Sequence, residues 1–128
     1  MLRSLTLMDS RGEKINVPFM ATARTPRRYK QSFGRDLMKD FELITGGEAD
    51  EQAMLEVAER LAFVMHAQAA GKDFKEISRD AEGAVADWLD TLDSFAITGN
   101  LLEIVNVYSD AKRMGSETKN ALAQLSAK

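Results

Sequence analysis

The sequence predicts an α+β fold that is mostly α, with an N-terminal β-hairpin followed by a bundle of about four helices. Apolar and polar residues alternate at the start of the chain, and apolar residues recur at helical spacing after residue 25. Only two prolines and eight glycines interrupt the 128 residues, and a chain of this length that is 45% hydrophobic can bury one core. We therefore predict a single domain over residues 1–113 and a weakly ordered C-terminal tail over residues 114–128.

The hairpin is predicted from alternation with a period of two on both sides of a turn. Leu5 and Leu7 precede the turn, and Val17 and Phe19 follow it. The turn is the polar segment 9–12, which ends in a glycine that tolerates a positive φ. Because a two-stranded hairpin is marginal in water, its apolar face has to rest on the helices or on another chain.

A first helix is predicted to begin at Thr25 and Pro26, because threonine can cap a helix and proline suits its first position. The apolar stripe of this helix runs through Tyr29, Phe33, Leu37 and Phe41. Gly34 lies inside the stripe and predicts either close packing or a bend. The two glycines at 46–47 predict the end of the helix.

Three further helices are predicted after this one. Residues 50–70 carry so many apolar positions that we expect their helix to be central and contacted on more than one side. Residues 72–82 are polar and predict a loop. Another helix is predicted around Trp88, and the last begins at Ser94, with Thr98 as the alternative start.

Composition and motifs argue against enzymatic chemistry. The chain has no cysteine, which excludes disulfides, a thiol nucleophile and thiolate metal sites. Its single histidine, His66, lies in an apolar helical run, which indicates packing. Asp87, Asp90 and Asp93 are one helical turn apart, and we interpret them as a solvated face, although such carboxylates can also serve as acid, base or cation ligands. Neither standard phosphate-binding loop motif occurs, so we predict no enzyme, cofactor or metal site.

Charge is distributed unevenly along the chain. Residues 1–40 carry nine basic and four acidic side chains, a net +5, whereas the remainder carries a net -8. Such polarity favours partner steering or head-to-tail self-association. The densest basic segment contains Arg24, Arg27, Arg28 and Lys30, with Tyr29 among them. A small DNA-binding regulator is therefore one hypothesis, and a negatively charged protein partner is the other, favoured because the chain as a whole is acidic.

The sequence also carries indications of location. It has no run of about twenty apolar residues, which a membrane-spanning helix needs. Its first residues lack an apolar stretch followed by small residues, so no signal peptide is expected. We predict a cytoplasmic protein without a membrane partner.

Two short blocks carry a resemblance to a known family. The first block matches at Thr25, Pro26, Tyr29, Phe33, Gly34, Arg35 and Asp36. The second block matches at Trp88, Leu89, Asp90, Asp93 and Phe95, and a hydrophobic helix follows it. In this order, and over roughly residues 15–108, the chain resembles the tail assembly chaperones of long-tailed bacteriophages. It departs from them at Tyr108, where tryptophan is frequent, and at Gly99 and Asn100.

The resemblance implies a non-enzymatic protein of the host cytoplasm. Such chaperones bind the tape measure protein, keep it soluble and help to recruit tail tube subunits, and they are absent from the mature virion. The family is often made in a short and a long frameshifted form, and this chain would match the short one, with the long form as a partner. The hairpin and the charge polarity add the expectation of a homo-oligomer. The candidate partner-binding residues are Arg24, Arg27, Arg28, Tyr29, Phe33, Arg35, Trp88 and Phe95.

Overall fold

The predicted hairpin is present in the computed structural model, which describes residues 1–45 and 50–110. Strands β1 (Leu2–Met8) and β2 (Lys14–Met20) pair antiparallel, and Gly12 takes a φ of 82° in the turn between them. One face of the hairpin is buried against the helices, with Phe19 fully enclosed. The hairpin and its one buried face are therefore as predicted from the alternation.

The first predicted helix is two helices, which corrects the prediction of a continuous one. Helix α1 spans Thr25–Phe33 and helix α2 spans Leu37–Thr45. Gly34 ends α1 with a φ of 67°, and a Cβ added there would meet nothing within 4 Å. The glycine is therefore required by its left-handed backbone and not by close packing. Asp36 then starts α2, since its Oδ1 accepts the N–H of Met38 at 2.9 Å. The predicted end at 46–47 lies outside the described residues.

The central helix is confirmed. Helix α3 spans Glu51–Ala69, and Asp50 caps it by accepting the N–H of Ala53 at 2.7 Å. Fully enclosed side chains on this helix include Ala58, Leu61, Ala62, Val64 and Met65. They place α3 between the hairpin, α1, α2 and α5, which is why its apolar stripe is so wide.

The segment predicted as a loop contains a short helix. Helix α4 spans Phe74–Ile77, and helix α5 follows at Ala81–Leu89. Each begins at a capping aspartate, because Asp73 accepts the N–H of Lys75 and Asp80 accepts the N–H of Gly83. Local capping therefore imposes helical structure on a polar stretch in which periodicity is too weak to reveal it.

The last helix begins at the alternative start. A 3₁₀ turn spans Thr98–Asn100, and residues 101–110 continue as helix α6. Ser94 lies in a turn instead of capping a helix. One hydrophobic cluster connects the hairpin to Tyr108, and the fold is α+β and mostly α, as predicted. The predicted tail, residues 114–128, lies outside the described residues.

Candidate partner-binding surface

The first motif block forms a corner between α1 and α2 that is held together by a buried carboxylate. Asp40 is only 3% exposed, and its Oδ2 accepts the hydroxyl of Tyr29 at 2.7 Å. Arg35 donates from Nε and Nη2 to the two oxygens of the same carboxylate, both at 2.8 Å. This bidentate geometry fixes the orientation of the corner. Sequence reasoning had singled out Tyr29 and Arg35 but had missed Asp40.

The electrostatics of this corner agree with its geometry. Burial alone would raise the pKa of Asp40, but hydrogen bonds from Arg35 and Tyr29 outweigh burial and hold this pKa below its ordinary value. Burial and the hydrogen bond to Asp40 raise the pKa of Tyr29. Asp40 is therefore an anion and Tyr29 a neutral donor near neutral pH, and both act in holding the fold.

The start of α1 is held by a second polar network. The hydroxyl oxygen of Thr25 accepts the backbone N–H of Thr22 and the side-chain amide of Gln68, each at 2.9 Å. The same amide donates to the carbonyl of Met20 at 2.6 Å. Gln68 is 7% exposed and thereby joins α3, β2 and α1. Sequence reasoning missed it, since a single polar residue among apolar ones is the only signal it gives.

The basic side chains before and within α1 are divided between the interior and the surface. The guanidinium of Arg28 turns inward, where its Nη1 donates to Oε1 of Gln68 at 3.1 Å and its carbon lies 5.0 Å from the ring centroid of Phe74. Arg24, Arg27 and Lys30 remain exposed at successive three-residue intervals. The accessible basic cluster is therefore smaller than the sequence suggests.

An open groove of about 540 Å³ runs beside this exposed basic cluster. Its lining consists of Pro26, Arg27, Lys30, Gln31, Asp36, Leu37 and Met38. The lining thus combines apolar side chains with two cations and one anion. Such a groove suits an amphipathic segment that carries acidic residues beside an apolar stripe.

Two predicted contact residues pack mostly into the fold. Phe33 is half-buried, with its ring edge-on to Tyr29 at 5.2 Å. Trp88 is also half-buried and stacks on His66, with ring centroids 5.2 Å apart and planes inclined by 16°. Nδ1 of His66 lies 3.1 Å from the carbonyl oxygen of Pro18, so the stack fastens α5 to α3 and β2. This agrees with the interpretation of His66 as a packing residue.

Phe95 is the most exposed large apolar side chain of the described residues, at 72%. The carboxylate of Asp93 accepts its backbone N–H at 3.1 Å, which fixes the turn that displays the ring. Phe95 lines a pocket of about 200 Å³ together with Thr6 and Met8 of β1. Leu102, which sequence reasoning had not proposed as a contact, is almost as exposed, at 70%.

Asp87, Asp90 and Asp93 do not converge on a common point that could bind a metal ion. Asp87 and Asp90 are exposed, and Asp93 is taken up by the backbone hydrogen bond to Phe95. Within residues 1–45 and 50–110, no group of three His, Cys, Asp or Glu side chains could hold a metal ion. Among the described helices, none has the length and apolar character needed to cross a bilayer.

The eight candidate residues thus fall into distinct environments. Those with exposed side chains near the groove or the pocket are Arg24, Arg27 and Phe95, whereas Tyr29 is fully enclosed. The other four are partly exposed and bound to neighbours: Arg28, Phe33, Arg35 and Trp88. Comparisons with protein families, with curated proteins and with solved structures find no significant match to this chain. Its surface is therefore interpreted from its own chemistry.

Proposed function

We propose that this protein is a tail assembly chaperone of a long-tailed bacteriophage that binds the tape measure protein and keeps it soluble. The observation that carries the proposal is the groove between α1 and α2, with exposed Arg27 and Lys30 beside apolar Leu37 and Met38. The resemblance of the two sequence blocks supplies the identity of the partner. The groove supplies a surface that fits a partner of that kind.

The chemistry of the groove matches a long helical partner. A tape measure protein is a long helical chain with exposed apolar surface, and such a chain aggregates unless the apolar stripe is covered. The partly exposed side chains of Pro26 and Met38 can receive that stripe, and methionine adapts to different side chains. Arg27 and Lys30 then attract acidic residues that flank the stripe and speed the encounter.

The buried corner gives the groove a fixed shape. Asp40, Tyr29 and Arg35 fix the angle between α1 and α2, and the groove lies along that angle. In the proposed role the protein acts in the host cytoplasm, helps to recruit tail tube subunits to the bound tape measure protein and leaves before the virion is complete. A longer frameshifted form of the same chain is the expected companion in this sequence of events.

Co-expression with the tape measure protein of the same phage tests the proposal. We expect the soluble fraction of the tape measure protein to rise when the chain is present and the two proteins to co-purify. An unrelated acidic protein of similar size, expressed at the same level, controls for a general effect on solubility. No change in solubility together with no complex would remove the proposed function.

DNA binding is the second candidate, because Arg27 and Lys30 are exposed on α1 and Arg24 is exposed directly before it. Arg28 is withdrawn into the fold, which leaves three accessible cations for phosphate contacts. A regulator would retard duplex DNA at low salt, and the retardation would be lost when the three residues become alanine. We expect no retardation.

A further inference from the structure

Among residues 1–45 and 50–110, the outer edge of β1 has backbone groups without a hydrogen-bond partner. Met1 and Ala21 form a hydrogen-bonded pair, in which the nitrogen of each residue donates to the carbonyl of the other. Hydrogen-bonded and non-hydrogen-bonded pairs alternate along an antiparallel ladder, so every second residue of β1 bonds to β2. The N–H and C=O groups of Leu2, Ser4 and Thr6 therefore point away from β2. None of these groups is hydrogen-bonded to another residue within the described part of the chain. The free edge is thus one short stretch with three donors and three acceptors.

This free edge stops where another segment begins. The carbonyl of Met8 accepts the N–H of Asp93 at 2.9 Å, and the N–H of Ser10 donates to the carbonyl of Thr91 at 3.0 Å. The segment before Phe95 therefore occupies the edge from Met8 onward. Any strand that adds to β1 has to end at about Thr6.

The edge of β2 is protected in a way that the edge of β1 is not. Pro18 has no N–H to offer, and its carbonyl lies 3.1 Å from Nδ1 of His66. The carbonyl of Met20 accepts the side-chain amide of Gln68 at 2.6 Å. Proteins normally guard an edge with proline, lysine or a covering element, and Leu2, Ser4 and Thr6 of β1 have none of these among the described residues. An edge left open in this way is a surface for strand addition.

We propose that a second copy of this chain covers the edge, with the two β1 strands antiparallel about a two-fold axis at Ser4. In this register Leu2 faces Thr6 of the second copy, and Ser4 faces Ser4. Each facing pair exchanges two hydrogen bonds, so that about six new ones join two hairpins into one four-stranded sheet. Registers centred nearer Met8 would place the incoming strand where Asp93 already lies.

Charge and apolar fit favour a copy of the same chain over another occupant. A two-fold axis sets each surface against itself, so a charge near the axis would face its like. Leu2, Ser4 and Thr6 are neutral, and the single charged residue between them, Arg3, is paired with Asp110 at 3.1 Å. No like charges therefore oppose the pairing at its centre.

The side chain of Leu2 provides the apolar part of the interface. Leu2 is 62% exposed, and the register places it beside Thr6 of the second copy, at the pocket of about 200 Å³ that Thr6 lines with Met8 and Phe95. The symmetry fills both pockets. Five paired residues and two leucines bury less than the roughly 1,200–2,000 Å² of a standard interface, so the expected dimer is weak, with a dissociation constant of about 10–100 µM. This pairing does not rest on the proposed function.

Sedimentation of the full chain between about 5 µM and 1 mM tests this proposal, combined with hydrogen exchange of individual amides. We expect a monomer–dimer equilibrium, and we expect exchange at Leu2, Ser4 and Thr6 to slow as the concentration rises. Ser4→Lys should weaken the dimer about tenfold or more, because the two lysines face each other across the axis. Ala86→Lys is the matched control, since it adds the same charge at an exposed position of α5, and it should change the dissociation constant less than about threefold.

A charge swap tests the symmetry itself. Ser4→Glu alone should also weaken the dimer, whereas an equimolar mixture of Ser4→Lys and Ser4→Glu should pair better than either variant alone. Circular dichroism verifies that each variant is folded. A monomer at every concentration, a dimer that Ser4→Lys leaves intact, or no rescue in the mixture would each overturn the proposal. Protection that does not depend on concentration would also overturn it and would assign the edge to residues 111–128 of the same chain.

Discussion

Gly34→Ala distinguishes a true helix end from a bend in a continuous helix. The two arrangements predict opposite changes in the free energy of unfolding. Gly34 has a φ of 67°, and alanine in the left-handed region costs about 1–2 kcal/mol. Alanine also restricts the unfolded chain, which returns about 0.4–1 kcal/mol. We therefore expect Gly34→Ala to lower the free energy of unfolding by roughly 0.5–1.5 kcal/mol. In a continuous helix the same substitution would raise it by about 1 kcal/mol.

The assay is urea unfolding followed by circular dichroism at 222 nm, at one protein concentration for all variants. Gly99→Ala is the matched control, since its φ is not positive and a Cβ there meets nothing within 4 Å. We expect Gly99→Ala to be neutral or stabilising by up to about 1 kcal/mol. A higher midpoint for Gly34→Ala with an unchanged slope would refute the assignment of Gly34 as the end of α1.

Three other substitutions and one titration follow from the same packing. Asp40→Asn should destabilise the fold by about 1.5–3 kcal/mol in urea unfolding, because two charge-assisted hydrogen bonds to Arg35 are lost in a buried place. The pKa of Asp40 is lower in the folded than in the unfolded chain, so its contribution is complete above the unfolded pKa and is lost as pH falls through the folded pKa. The difference between wild type and Asp40→Asn should therefore shrink below about pH 4, and a constant difference down to pH 2 would contradict it. Trp88→Ala should lower the free energy of unfolding by about 2–4 kcal/mol, because this ring packs into the fold. Phe95→Ser should change it by no more than about 0.5 kcal/mol when dilute monomer is measured. Equal losses for the two variants would contradict the placement of these two rings.

The elements that could be predicted from sequence are those with a strong local signal. Alternation around a polar turn specifies the hairpin, and an aspartate cap before a long apolar run specifies α3. Each signal lies within a few residues of the element that it predicts. Tertiary packing then agrees with them, which is why the hairpin with its buried face and the start of α3 were predicted correctly.

The parts that could not be predicted leave no distinct pattern in the sequence. Leu37 stays in phase with the stripe of α1 and is buried, so periodicity hides the break at Gly34. In the sequence, Asp40 resembles an ordinary polar residue of a helix. Its hydrogen bonds to Tyr29 and Arg35 are visible only in the folded chain. The inward turn of Arg28 likewise requires Gln68, which is 40 residues away. Burial of polar partners is the property that local patterns do not encode.

The most direct test of the central claim is the affinity of the full chain for the tape measure protein when the groove charges are reversed. Arg27→Glu with Lys30→Glu should weaken the complex by about tenfold or more, because the acidic flanks of the partner would meet like charges. Lys72→Glu with Arg79→Glu is the matched control, since it makes the same change of charge at exposed positions away from the groove, and it should alter the affinity by less than about threefold. Equal effects of the two pairs, or no complex with the wild-type chain, would contradict the claim that this groove holds the tape measure protein.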